Sequence, residues 1–356
     1  MMAAMSKPII HLCAPASPGQ VVFETLGVRG ARELIRLAQD AVGPAYRVRG
    51  RPSLIEATLD DNKGGRSDDA ARVRELEEVM SNDEVAAMVA VRGGAWLTRI
   101  LPQIDFHALD RRKKRLAVIG FSEITPLVNL VGAHRRGYGY YYMTPGFPPI
   151  GMARYGRLNI SKIAPRKRMS PKEATRFAQR WAAKQATERF NGYFREVVEL
   201  VEKRRPTRKL TGTLVSGNLP TSSRATVIGG CLTLVTPLAA GAFASRLNPR
   251  GKWIALEDLE ETPYRIDRQL AHLKLAGWFE RCTGVLIGDF HEGDEDHAKK
   301  VVALLKYHLP AKRRIPIVVS KQFGHIWPQV PLPIGRRLSI HSARAGQRHR
   351  VSFEIT

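Results

Sequence analysis

Two short runs, Val85 to Val91 and Leu116 to Gly120, are almost wholly apolar. A strand with one wet face alternates apolar and polar residues, so an unbroken run implies a strand covered on both faces. Their surroundings supply the cover. Ile9 to Ala14 reads as a further strand, closed by a turn at Pro15 to Gly19. Thr25 to Ala41 has helical spacing at Leu26, Leu34 and Leu37 and stops at Val42-Gly43-Pro44, while Asp68 to Met80 is a charged helix with Val73, Leu76 and Val79 on one side. Strands alternating with helices predict a parallel sheet wrapped in helices, with chemistry where strands end. The fold class expected is α/β: an N-terminal parallel-sheet (Rossmann-like) domain plus a smaller C-terminal mixed α/β domain.

The middle of the chain breaks that rhythm. From His134 to Arg168 there are eight Lys or Arg residues and no acid, with Tyr138, Tyr140, Tyr141 and Tyr142 set among glycines, which reads as irregular structure. Ser170-Pro171-Lys172-Glu173 opens a helix with an N-cap, a first-turn proline and a capping-box glutamate. It is expected to reach about Arg205, disturbed near Asn191-Gly192. Beyond Thr211, strands are predicted at Trp253 to Leu256, Gly284 to Gly288 and Ile315 to Val319. The predicted division is an N-terminal domain over 1–165, a helical connector over 166–210 and a C-terminal domain over 211–356.

Composition narrows the partners. The net charge of +24 favours anionic ones without choosing among nucleic acid, acidic lipid and a polycarboxylate substrate. Three scattered cysteines make neither a disulfide framework nor a zinc spacing, which suits a reducing, cytoplasmic setting. Thr226 to Ala244 holds 19 residues without charge, but Gly229, Gly230, Pro237 and Gly241 interrupt it, so it reads as buried core and no membrane partner is expected. The run His291 to His297 is crowded with acids on one turn, a poor arrangement for converging on one ion. No metal and no cofactor are expected, and no phosphate-cradling Gly-Lys-Ser/Thr motif is present.

Three stretches carry chemistry. In Gly120-Phe121-Ser122-Glu123-Ile124, an apolar strand runs through Gly-x-Ser into a helix, a turn that lifts a serine clear of a sheet edge beside free backbone N–H groups. Taken alone this is also what an N-cap serine looks like. Glu257-Asp258 closes the strand that starts at Trp253, and Phe323-Gly324-His325 follows the strand at Ile315 to Val319.

Here the sequence resembles the LD-carboxypeptidases, serine peptidases that include muramoyltetrapeptide carboxypeptidase and the microcin-immunity peptidase. The matching features, in order, are APASPG near the start, SNDEVAAMVAVRGG, GFSEIT, GGCL, LEDLEETPYRIDR and GHIWPQVPLPIG, across two thirds of the chain. The resemblance implies Ser122 as nucleophile, His325 as general base and Glu257 as the carboxylate orienting it, with Asp258 as the fallback. It implies an oxyanion hole of backbone N–H groups from Gly93, Gly94 and Glu123, and a homodimer. Arg92, Gly229, Gly230 and a tyrosine among 138 to 142 are candidates for substrate contact. The expected reaction is hydrolysis of the amide bond to a terminal D-alanine in a murein tetrapeptide. The same triad would also serve cleavage of a peptidyl-nucleotide antibiotic, with Trp181, Trp253 or Trp327 as a platform for the base. Nucleic-acid binding is expected only as a side property of the basic surface. Two departures from the family stand out: Glu123 where Asp is usual, and Cys231 in place of the asparagine of Gly-Gly-Asn-Leu.

Overall fold

The computed structural model describes residues 7–147, 170–292, 295–326, 328–346 and 348–355. The N-terminal lobe is built on β1 (Ile9–Cys13), β2 (Arg47–Gly50), β3 (Val85–Ala90), β4 (Leu116–Gly120) and β5 (Gly137–Tyr141), all parallel, in the order β5-β4-β3-β1-β2. Every residue of β4 is buried, as its unbroken apolar run requires.

β5 corrects the reading of the tyrosine-rich stretch as irregular. Its Gly-Tyr-Gly-Tyr alternation is a strand period with a glycine face. A Cβ on Gly137 or Gly139 would lie about 2 Å from the Val131 or Val128 carbonyl of the helix Thr125–Gly132. Only glycine lets that helix rest on the strand, and Tyr138, Tyr140 and Tyr141 are buried. The rest of the basic stretch, 148–169, lies outside the described residues.

Two other local expectations shift. The predicted helix over Thr25 to Ala41 is two, Gln20–Leu26 and Ala31–Val42, because Gly27 turns left-handed at φ 65° and caps the first. The predicted break near Asn191-Gly192 is absent: Pro171–Glu202 is one helix, opened by the Ser170–Glu173 capping box. Phe190, Phe194, Val197 and Leu200 recur at helical spacing and are buried, and the helix packs on Ala31–Val42. Packing on that stripe outweighs one glycine's cost of about 1 kcal/mol. Arg112, in the basic run Arg111 to Arg115, is buried and donates to the Val79, Asn82 and Val85 carbonyls.

The C-terminal lobe comprises β6 (Leu210–Ser216), β7 (Ser222–Cys231), β8 (Lys252–Leu259), β9 (Gly284–Glu292), β10 (Glu295–Asp296), β11 (Ile317–Val319), β12 (Leu332–Ile334), β13 (Arg337–Ala345) and β14 (Arg348–Ile355). β12 leaves it to pair antiparallel with β5, so the last strand of the first sheet comes from the far end of the chain. The others follow the order β10-β9-β11-β6-β14-β13-β7-β8, and a β8–β9 pairing closes seven of them into a ring. β7, β8, β9 and β11 run parallel within this mixed sheet. The uncharged run Thr226 to Ala244 forms the end of β7 and the helix Leu232–Leu238 inside this core. No helix among the described residues is long and apolar enough to cross a membrane.

Candidate active site

The carboxyl ends of β3 and β4 meet those of β7 and β8 between the lobes. Chain direction explains the meeting, since loops that follow parallel strands gather at one edge. β4 delivers Phe121 in extended conformation, and Ser122 then adopts φ 57°, a left-handed backbone rare outside glycine. Neighbours over-determine it. The Ser122 amide donates to Tyr141 Oη at 3.1 Å, and Thr125 Oγ1 donates to the Ser122 carbonyl at 2.6 Å. Gly120 is needed because a Cβ there would lie 2.7 Å from Ile124 Cγ2. Ser122 stays partly exposed at the head of the turn.

The glycine turn after β3 lies directly over it. A Cβ on Gly93 would sit 3.0 Å from Ser122 Cβ and 3.4 Å from its Oγ. Gly94 has φ 105°, and a Cβ there would strike Ser17 Oγ. Ser17, from the APASPG motif, ties the turn down: its amide donates to the Gly93 carbonyl and its hydroxyl accepts the Ala95 amide, both at 3.1 Å. Glu123 holds the other side. Its Oε1 accepts from the Leu97 amide, the Thr98 amide and Thr98 Oγ1, each at 3.0 Å. Burial raises its pKa, against the pull of those Thr98 and Leu97 donors. The carboxylate therefore anchors the loop, leaving the Glu123 backbone beside Ser122.

Glu257, fully buried, binds His325 Nδ1 through Oε2 at 2.7 Å, and the His325 amide donates to the same oxygen at 3.2 Å. A carboxylate only accepts, so the proton sits on Nδ1 and Nε2 is left basic in the neutral ring. Burial depresses the His325 pKa, but the charge and hydrogen bond of Glu257, helped by Asp258 and Asp289, outweigh it and raise the net value. Gly324 makes the approach: at φ 110°, a Cβ would fall 2.9 Å from Glu257 Oε2. Asp258, the fallback, is turned away and accepts from the Thr233 amide at 2.9 Å, Thr233 Oγ1 at 2.8 Å and the Leu259 amide at 2.9 Å. Cys231 Sγ also lies 3.4 Å from it.

The lobes are pinned together around these groups. Asn129, buried in the helix after Ser122, exchanges two hydrogen bonds with Gly229, at 2.8 and 2.9 Å. Thr125 Oγ1 accepts the Cys231 amide at 3.3 Å. Tyr141 donates to Glu257 Oε1, and Gln329 joins the Gly324 carbonyl to the Met143 amide. The Phe121 and His325 rings stand 4.7 Å apart at their centroids. Among the described residues no hydrogen bond joins Ser122 to His325, and such contacts commonly tighten only when substrate is bound.

Other expected contacts fall differently. Gly229 and Gly230 leave no room for substrate: a Cβ at the first would lie 2.0 Å from the Ala255 carbonyl of the paired strand β8, and one at the second 2.6 Å from Tyr141 of the other lobe. Arg92 lies two residues past the end of β3 and is half-buried. Trp253 is buried against Phe353, which removes it as a platform for a base. Trp327, and the side chain of Trp181, lie outside the described residues. No cluster of metal-ligating side chains occurs among the described residues; Gly293 and Asp294 of the acidic run are outside them. The sequence reading offered Tyr141 only as one of the tyrosines for substrate contact, not as a partner of Glu257, and missed Asn129 and Gln329. For Tyr141 the period-two alternation was the available signal; the other two had none.

Family comparison settles what this arrangement belongs to. Residues 10–142 match the LD-carboxypeptidase N-terminal domain and residues 224–340 the LD-carboxypeptidase C-terminal domain. The chain belongs to the LD-carboxypeptidase family. It is a carboxypeptidase of the same broad kind as the probable murein peptide carboxypeptidase of Bacillus subtilis (strain 168), to which it is 25% identical over 279 residues, 77% of this chain and 75% of the relative. The Microcin C7 self-immunity protein MccF of Escherichia coli is 23% identical over 278 residues, 76% of this chain and 75% of that protein. Its wild-type apo structure superposes with a TM-score of 0.64 at 16% identity, covering 98% of this chain and 96% of that one. Muramoyltetrapeptide carboxypeptidase from Oxalobacter formigenes gives 0.57 at 18% identity, covering 97% and 98%. Both show the shared two-lobed LD-carboxypeptidase fold. Residues 143–223, with most of the basic stretch and the long helix, fall outside both family matches.

Proposed function

We propose that this carboxypeptidase is a serine enzyme that removes the terminal D-alanine from a murein tetrapeptide through Ser122, His325 and Glu257. Ser122 Oγ attacks the scissile carbonyl while His325 Nε2 takes its proton. Negative charge developing on the carbonyl oxygen is met by backbone N–H groups at Gly93, Gly94 and Glu123. His325 returns the proton to the departing amine of D-alanine, and water, deprotonated by the same imidazole, hydrolyses the acyl-enzyme. Glu257 keeps the ring in the tautomer that leaves Nε2 basic and stabilises the imidazolium.

The observation that carries this reading is the 2.7 Å contact between buried Glu257 and His325, whose ring packs on the residue preceding Ser122. A strained serine, a glycine turn over it and a carboxylate-held imidazole beside it are the parts acyl transfer requires. The murein substrate rests on the B. subtilis relative and suits a basic protein, which concentrates a ligand bearing several carboxylates. The test is release of free D-alanine from purified tetrapeptide, with Ser122→Ala expected to lose at least ~1,000-fold in rate. Full activity in that variant would refute the mechanism.

A further inference from the structure

We propose that Tyr141 is a positioning residue that couples the two lobes' contributions to catalysis, holding the backbone of Ser122 with its oxygen and Glu257 with its proton. The inference rests on the triad reading above.

The polarity of the contact follows from valence. The Ser122 amide can only donate, so Tyr141 Oη accepts from it at 3.1 Å. Glu257 can only accept while ionised, so the tyrosine proton points to Oε1. One hydroxyl thus spans from the nucleophile's backbone to the acid's free oxygen. Glu257 Oε2 is occupied twice by His325, and Tyr141 is the donor to Oε1 among the described residues. Removing the hydroxyl would leave half of a fully buried carboxylate without a donor.

The ring cannot swing away. Phe121, next to Ser122, meets it edge-on with centroids 6.2 Å apart, and Phe323, two residues before His325, packs at 5.1 Å. Gly230 is pressed so close that a Cβ would fall 2.6 Å from Tyr141 Cε2. Segments bearing Ser122 and His325 therefore clamp the ring together with β7, while Glu257 holds its hydroxyl. Burial, followed by the Glu257 charge, pushes the Tyr141 pKa well above its ordinary value, so the phenol keeps its proton across the working range.

The coupling predicts a direction. A hydrogen bond from Tyr141 shares the charge of Glu257 and weakens its hold on the His325 proton; without it the carboxylate pulls harder and the imidazolium persists to higher pH. The groups facing this pair are Asp258 on β8, Asp289 on β9 and Cys231 on β7, and Tyr141→Phe leaves all three in place.

Tyr141→Phe keeps the ring and removes the hydroxyl. Expected are a kcat lowered about tenfold, a KM within about twofold, and an acid limb of kcat/KM raised by about one pH unit. The titration of His325 followed by ¹⁵N NMR should move by the same amount, a readout that needs no substrate. A purely structural role would lower the melting temperature and leave both titrations unmoved, which would overturn the proposal. Should the variant not fold, 3-fluorotyrosine placed at 141, a stronger donor, must shift the limb downward, and an unmoved limb again overturns it. Failure of the triad reading would look different: Ser122→Ala would match wild type, while the NMR titration still reported on the Tyr141–Glu257 contact.

Discussion

The open sheet of the N-terminal lobe and the closed ring of the C-terminal lobe each present a functional group at the same edge, by opposite means. Ser122 is set by backbone strain, at φ 57° on a turn whose neighbours are glycines, and remains reachable from solvent. Glu257 is set by burial, on a strand paired on both sides, with no exposed surface. The nucleophile proposed at Ser122 must be approached by substrate, so it is placed by constraining the chain beneath it. A carboxylate that stabilises an imidazolium works best where water does not dilute its field, so it is placed by enclosure. The contrast predicts that the ring tolerates no loss of charge at 257, whereas charge at the neighbouring position serves mainly local structure and only assists at His325.

The largest effect expected after loss of Ser122 itself follows from that contrast. Glu257→Gln should lower kcat by about 1,000- to 10,000-fold, because the amide can present a donor to Nδ1 and favour the wrong tautomer. Asp258→Asn should cost less than about tenfold, since Asp258 bonds Thr233 and Leu259 and not the histidine. Steady-state rates of the two variants side by side decide it; equal losses would mean that the ring supplies a diffuse field and not a directed contact.

The next effect is in pH. As the proposed base, His325 must be neutral to accept the Ser122 proton, and Glu257 raises its pKa above the ordinary value. Rate should therefore climb about tenfold per pH unit below that value and level off above it. Stability has the opposite dependence: a histidine whose folded pKa is raised stabilises fully below its unfolded pKa, and that contribution is lost as pH rises through the folded value. Activity and this share of stability should move oppositely as pH rises past the ordinary histidine pKa, testable by pairing rate profiles with thermal melts. A rate that fell on going up through that region would contradict the assignment of His325 as base.

How legible was this in the sequence? The strands whose faces are both covered were plain, because an unbroken apolar run has few other homes. The motifs that seat the site were visible but not their reasons: APASPG matters because Ser17 ties down the Gly93-Gly94 turn, and Gly229-Gly230 because two lobes touch there. β5 was misread since glycine suggests a turn until the helix that fills its missing side chains is known. Asn129 and Gln329 act across a hundred residues of chain or more, and neither spacing nor composition encodes such contacts.

Between the lobes, the Asn129–Gly229 pair is a clamp whose loss should show in stability before chemistry. Asn129→Ala leaves the buried backbone N–H and C=O of Gly229 without their partners, a cost of about 2–4 kcal/mol. A lower denaturant midpoint with kcat reduced only severalfold is expected. An unchanged midpoint would show that Thr125, Tyr141 and Gln329 suffice to hold the lobes together.

The smallest effect sits on the ring side, at the position where the family usually carries asparagine. Cys231 ends β7 opposite Glu257, and its thiol, kept protonated by burial, offers Asp258 a weak donor at 3.4 Å. Burial first, and the Glu257 charge second, push the Asp258 pKa from 3.8 to about 6. A carboxyl raised on folding stabilises below its unfolded pKa and gives that up as pH climbs through the folded one, so the protein should lose stability between about pH 4 and 6. Cys231→Asn exchanges a weak donor for an amide N–H, which favours the ionised carboxylate and should flatten that loss by about 1 kcal/mol while leaving kcat within about twofold. Melting temperatures at pH 5 and pH 8 should lie closer together in the variant than in the wild type. If they lie further apart, the larger side chain strains the ring more than its hydrogen bond helps, and the thiol is there for its size.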